Sequence, residues 1–114
     1  MTSSNSKVLR RAEVFQAGEL AGYLRQERDD LWIFAYEEGY EGIPVSLTLP
    51  VRKESYTFKK FPAVFDGLLP EGAQLEALLK KQKIDRKDSF KQLVTVGQDL
   101  VGSLCVRLQK GTIV

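Results

Sequence analysis

The spacing of the apolar residues changes twice along this chain, and this restricts the possible fold more than any other feature of the sequence. Up to about Phe58 the apolar residues alternate with polar ones or form short runs, as they do in β-strands. Between Pro62 and Gly97 they recur at helical spacing, and they alternate again from Gly102 to Leu108. Strands followed by helices and then by one more strand are typical of the α+β class.

The first half of the chain predicts a hairpin and a strongly apolar third strand. Residues 8–15 and 19–24 are joined by a short turn that contains Gly18, as in a tight hairpin. Residues 31–36, with the sequence LWIFAY, predict a central strand covered on both faces. The aromatic side chains of this strand fall on one side, where they form part of the core or, if exposed, an interface.

Two further extended segments follow. Residues 45–49 alternate regularly and end at Pro50, which predicts a strand with one face in water. Residues 52–60 are polar, with Tyr56 and Phe58 at alternate positions, and predict an extended connector or a short edge strand.

The second half of the chain predicts three helical segments. Residues 62–67 begin with a proline and end with a glycine, which suits one short helix. A helix of about twelve residues begins at Glu71. Asp88 or Ser89 caps a further helix, which ends at Gly97.

These elements predict one α+β domain. A mostly antiparallel sheet of about five strands has two to three helices packed on one face, and a closing C-terminal strand rejoins the sheet. Residues 7–114 form this domain, since a chain of 114 residues is long enough for one core. The polar residues 1–6 are expected to be disordered.

The composition excludes most kinds of catalytic site. The chain has no histidine, which removes the commonest general base and metal ligand. Its one cysteine, Cys105, predicts a small buried side chain on a strand and a reducing cytoplasm as the location. The glycines do not form a phosphate-binding loop, and the paired acidic residues at 29–30 and 37–38 suit solvated turns. A binding protein without a metal or cofactor is therefore expected.

Basic residues cluster at positions 80–87. Because the net charge of the chain is only +2, this cluster predicts a solvated helix end, where cations also favour the helix dipole. Direct binding of nucleic acid through the cluster is the weaker alternative, and a steep dependence of DNA affinity on salt would support it.

Four segments, taken together and in order, resemble one known family. They are VFQAGELAGYL, IPVSLTLPV, FPAVFDGLLPEG and DSFKQLVTVGQDLVGSLCV. These are similar to the opening hairpin, the Pro-x-Ser-Leu-x-Leu-Pro strand, the Leu-Leu-Pro-Glu-Gly segment and the closing helix and strand of the N-terminal subdomain of HipA-type serine/threonine kinase toxins. The four segments span nearly the whole chain.

The resemblance implies a partner rather than a catalyst. In full-length members the subdomain is followed by a kinase core, whose nucleotide-binding lysine, catalytic aspartate and metal-binding aspartate have no counterparts in this sequence. Related tripartite systems encode a small HipS-type protein apart from a HipT-type kinase and a HipB-like helix-turn-helix DNA-binding protein. The resemblance thus implies an antitoxin that binds and inhibits a HipA- or HipT-like kinase, with a HipB-like protein in the same complex and no direct contact with nucleic acid or membrane. The alternative is an excised N-terminal subdomain of a full-length kinase.

The segment FDGLLPEG is the predicted site of contact with the kinase. Leu68 and Leu69 fall between the helical patterns on either side, so neither pattern includes both of them. The expected partner-binding residues are Phe65, Asp66, Gly67, Leu68, Leu69, Pro70 and Glu71.

Overall fold

The computed structural model describes residues 10–98, 100 and 102–109. Among these residues there are five strands and three helices, and four strands are followed by the helices and then by one closing strand. They are β1 (Arg10–Gln16), β2 (Glu19–Arg28), β3 (Leu31–Tyr36), β4 (Tyr56–Phe58), α1 (Ala63–Asp66), α2 (Gly72–Gln82), α3 (Ser89–Val96) and β5 (Leu104–Leu108). The predicted disordered segment, residues 1–6, lies outside the described residues.

The five described strands form one antiparallel sheet with the order β4-β3-β2-β1-β5. The closing strand β5 pairs with β1, where Val106 is opposite Val14, so the C-terminal strand rejoins the sheet as predicted. The short strand β4 lies at the other edge, within the segment that was predicted as a connector or an edge strand. The predicted α+β class is confirmed.

The core lies between one face of the sheet and the helices α1 and α3. Trp32 and Phe34 point to this face from β3, and their rings contact those of Phe90 in α3 and Phe65 in α1, with centroids 6.0 Å and 5.7 Å apart. Trp32 and Phe34 are therefore core residues and not an exposed interface. The prediction that β3 is covered on both faces is wrong, because its alternate residues, such as Ile33, are only half-buried.

Cys105 also lies on the half-buried face. Cys105 is on β5 as predicted, and it lies opposite Phe15 of β1. In their strands both residues alternate with buried positions, so they lie on the other face of the sheet. The prediction that its side chain is buried is therefore wrong in degree, since Cys105 is only half-buried.

Residues 45–49 form a tight turn, and the prediction of a strand there is wrong. Val45 and Leu49 are buried, whereas Leu47 is 99% exposed, although a strand would place all three on one side. The Tyr36 hydroxyl accepts a hydrogen bond from the Val45 N–H and donates one to the Leu49 carbonyl. These bonds satisfy the backbone locally, so the segment does not need a neighbouring strand.

The cap residues of α3 confirm the prediction for that helix. The Asp88 side chain is the N-cap and accepts a hydrogen bond from the Lys91 N–H over 3.1 Å. Gly97 ends the helix with a φ in the ordinary right-handed helical range, so a left-handed backbone is not the reason for a glycine there. A Cβ on Gly97 would lie 1.7 Å from the Val106 carbonyl oxygen, so glycine is needed because β5 comes so close.

Candidate partner-binding surface

The backbone of residues 65–71, called here the 65–71 segment, is an ordered continuation of α1. After the helix ends at Gly67, the Leu68 N–H donates to the Phe65 carbonyl over 3.0 Å, and the Leu69 N–H donates to the Asp66 carbonyl over 3.1 Å. Such bonds between residues three apart tighten the chain as in a 3₁₀ turn. The segment therefore has a fixed path before α2 begins.

The seven predicted contact residues differ in how deeply they are buried. Phe65 is fully buried and lies in the core beneath the segment. Leu68, Leu69 and Pro70 are half-buried, and both leucines pack against the edge of the core. The residues exposed on the surface are Asp66, Gly67 and Glu71. The structure thus brings the seven residues together, with Phe65 as the support of the others.

A cleft with a volume of ≈ 530 Å³ lies beside the segment. Five of the predicted residues line it, together with three from elsewhere in the chain. These eight residues are Gly67, Leu68, Leu69, Pro70, Glu71, Gln74, Val96 and Leu100. Its size is within the roughly 300–1,000 Å³ range of pockets that hold small molecules.

The sequence did not reveal the far wall of this cleft. Val96 is the last residue of α3, and Leu100 follows that helix, so both are more than twenty positions from the segment along the chain. Gln74 is closer, in the first turn of α2. The apolar character of Val96 and Leu100 was the available signal, but only the packing of α3 brings them to Leu68 and Leu69.

The surface combines half-buried apolar side chains with exposed carboxylates. Its apolar residues can be buried against a partner, and the carboxylates of Asp66 and Glu71 stand at its border. The described residues include no group of three or more histidine, cysteine, aspartate or glutamate side chains that could hold a metal ion. Within the same part of the chain, no helix is long and apolar enough to cross a membrane.

The basic cluster at residues 80–87 lies apart from the segment. Lys80 and Lys81 are in the last turn of α2, and Lys83 ends that helix. Arg86 forms an ion pair with Glu76 over 2.7 Å, and both side chains are more than half exposed. The cluster is thus an exposed helix end, in agreement with the main expectation from the sequence.

A match to a protein-family profile identifies the family to which this chain belongs. The sequence profile described as the HipA N-terminal domain matches residues 12–107. The chain belongs to the HipA N-terminal domain family. This confirms the resemblance that was inferred from the four segments.

Three similar proteins show the settings in which this domain occurs. An "Uncharacterized protein" of Haemophilus influenzae is 30% identical over 103 residues, which cover 90% of this chain and 96% of that protein. The "Putative kinase Y4mE" of Sinorhizobium fredii is 30% identical over 95 residues, but the match covers 80% of this chain and only 23% of that protein. A solved structure described as the "N-terminal domain of HipA toxin" superposes with a TM-score of 0.73 at 28% identity, covering 93% of this chain and 98% of that chain.

Proposed function

We propose that this HipA N-terminal domain is a non-enzymatic antitoxin of a cytoplasmic toxin–antitoxin system, which binds and inhibits a HipA- or HipT-like serine/threonine kinase. The observation that carries this proposal is the pair of relatives at 30% identity. The domain makes up nearly all of the Haemophilus influenzae protein and about a quarter of the Sinorhizobium fredii protein named as a kinase. A domain that adjoins a kinase within one chain has surfaces suited to bind a kinase as a separate chain.

The contact with the kinase is assigned to the 65–71 segment. Leu68 and Leu69 are only half-buried, so they leave apolar area that a partner can cover beside the cleft. Phe65 is fixed in the core and holds the segment in place, so little conformational entropy is lost on binding. Inhibition then requires that the complex form more strongly with the inactive state of the kinase than with the active state.

The proposed complex has a further member. A HipB-like helix-turn-helix protein supplies the contact with DNA, and the domain itself touches neither nucleic acid nor membrane. The exposed lysines at 80, 81 and 83 are then a solvated helix end, consistent with the ion pair that Arg86 forms nearby.

A second candidate function is favoured by the Sinorhizobium fredii relative. Because that match covers 23% of a protein named as a kinase, the same relative supports a structural subdomain within a longer kinase as the alternative. The coding sequence that follows Val114 discriminates between the two functions. A stop codon and a separate kinase gene favour the antitoxin, and a continuous reading frame favours the subdomain.

The substitution Leu69→Glu tests the assignment of the segment. We expect the variant to stay folded and to bind the kinase roughly thirtyfold more weakly, which is a loss of about 2 kcal/mol in binding free energy. The affinity falls because an apolar contact is lost and a charge is brought to the interface. The measurement is phosphorylation by the kinase at increasing concentrations of the domain, with circular dichroism as the check of folding. Leu31→Glu is the matched control, since Leu31 is a half-buried leucine at the start of β3.

Two results would contradict the assignment. A folded Leu69→Glu variant that inhibits as well as the wild type removes the segment from the contact. If Leu69→Glu unfolds, Leu69 belongs to the core, and the smaller change Leu69→Ala then decides: full inhibition by that variant also removes the segment from the contact.

A further inference from the structure

The turn at residues 45–49, called here the Leu47 turn, presents an apolar side chain to solvent. Among the residues that the structure describes, the exposed large apolar side chains are Leu47, at 99%, and Ile43, at 63%. Single exposed leucines are common on protein surfaces and need no explanation by themselves. The turn differs from such cases because several bonds hold Leu47 in this position.

The two ends of the turn are anchored in the core. Val45 is 6% exposed and Leu49 is 3% exposed, so both flanks of Leu47 are fixed. The Tyr36 hydroxyl links these ends by accepting from the Val45 N–H over 3.0 Å and donating to the Leu49 carbonyl. Burial raises the pKa of Tyr36 above its ordinary value, so the hydroxyl keeps the proton that it donates.

The tip of the turn is held by its own polar side chains. The Thr48 N–H donates to the Ser46 Oγ over 3.2 Å, and the Ser46 and Thr48 hydroxyl oxygens are 3.0 Å apart. The Leu49 N–H donates to the Ser46 carbonyl over 3.1 Å, which closes the turn. Leu47 therefore cannot fold back onto the core without breaking these bonds. Because the backbone of Leu47 is held in this way, little backbone entropy is lost when a partner covers its side chain.

A cleft of ≈ 530 Å³ lies near the turn, and Tyr36, which bonds to both ends of the turn, is one of its lining residues. The rings of Tyr36 and Tyr40 stack along one side, with centroids 5.7 Å apart and planes 8° from parallel. Five charged residues also line this cleft: Glu37, Glu38, Glu41, Arg52 and Lys53. The surface thus combines a projecting leucine with a recess that has a charged lining.

We propose that Leu47 is an apolar anchor that inserts into an apolar pocket of the kinase, at a contact distinct from the 65–71 segment. This inference rests on the proposed function for the identity of the partner. The Sinorhizobium fredii relative supports the kinase as the occupant, because there the domain adjoins three times its own length of a chain named as a kinase. A second copy of this chain is the alternative occupant, and the test includes it as an outcome.

The test compares Leu47→Ser with Lys81→Ser, an exposed residue on α2. The probe is the HipA- or HipT-like kinase of the proposed function, purified on its own. We expect the melting temperature of the free Leu47→Ser variant to be unchanged, because its side chain is 99% exposed. Its affinity for the kinase should fall roughly ten- to hundredfold, as for a leucine that is fully buried on binding, while Lys81→Ser stays within about threefold of the wild type.

The outcomes separate this inference from the proposed function. If the wild type does not bind the kinase, the proposed function is wrong and the Leu47 contact falls with it. If the wild type binds and Leu47→Ser binds equally well, the Leu47 contact alone is overturned. If Leu47→Ser instead abolishes self-association of the free protein in sedimentation, a second copy is the occupant and the kinase contact is also overturned.

Discussion

Helices α2 and α3 have similar apolar spacing in the sequence, but they occupy very different positions in the structure. Helix α3 buries Phe90, Gln92 and Leu93, whereas α2, all of whose residues are described, buries none. A helical pattern predicts that a helix has an apolar face, but it does not predict how completely another element covers that face. The comparison therefore separates the part of the domain that maintains the fold from the part that remains available for contacts.

The ends of the two helices explain the difference. At the start of α3, Asp88 caps the helix and also pairs with Arg10 of β1 over 2.7 Å. At its end, the Val106 N–H donates to the Gly97 carbonyl over 2.9 Å, which ties the helix to β5. Helix α2, in contrast, begins at Glu71 without a side-chain cap bond among the described residues, and its C-cap residue is in the left-handed conformation. Helix α3 is thus bonded to the sheet at both ends.

The largest expected effect tests whether α3 maintains the fold while α2 does not. Phe90→Ala should lower the free energy of unfolding by about 3–5 kcal/mol, because it leaves a cavity beneath Trp32. Leu78→Ala, at a half-buried position of α2, should cost only about 1 kcal/mol. Urea denaturation followed by circular dichroism measures both values. Equal losses would show that α2 belongs to the core as much as α3 does.

The next prediction concerns the close approach of α3 and β5. Gly97→Ala should destabilise the domain by about 1–3 kcal/mol, because the new Cβ would lie 1.7 Å from the Val106 backbone oxygen, so that α3 and β5 would have to move apart. Gly67→Ala is the matched control. Gly67 ends α1 with φ of −65°, and its added Cβ would have its nearest neighbour at 3.4 Å. Thermal unfolding should show a lower midpoint for the first variant and an unchanged or higher one for the second.

If both variants unfold at the wild-type temperature, β5 does not depend on contact with α3. That result would weaken the contrast between the two helices, since the tie at the end of α3 is the feature that α2 lacks. If only Gly67→Ala is destabilised, the end of α1 limits the stability of the domain instead.

The sequence predicted elements more reliably than it predicted their packing. Local patterns were sufficient for the hairpin and for the N-cap residue Asp88, because these depend on neighbouring residues. Gly97 was also predicted as the end of α3, but the reason for a glycine there is the close approach of β5. The turn at residues 45–49 was predicted wrongly, since its formation depends on a hydroxyl from Tyr36, nine positions before Val45. The 65–71 segment was found as a gap between two patterns, but Val96 and Leu100 join it only through tertiary packing.

The smallest expected effect concerns the C-terminal end of α2, at Lys83. Lys83 has φ of 54° and ψ of 49°, a left-handed conformation that costs a residue with a Cβ roughly 1 kcal/mol and costs glycine almost nothing. Lys83→Gly should therefore stabilise the domain by about 0.5–1 kcal/mol, even though the substitution removes a side chain and adds no contact. The measurement is the midpoint of urea unfolding, with Lys81→Gly as the control.

The control lies within the helix, so that glycine there should destabilise the domain by about 1 kcal/mol. Opposite signs for the two lysine substitutions would show that α2 ends at Lys83 and that its end is strained, in contrast to the bonded end of α3. A loss of stability in both variants would instead mean that the Lys83 side chain contributes more than its backbone conformation costs. The ends of α2 and α3 would then differ less than their dihedral angles and bonds indicate.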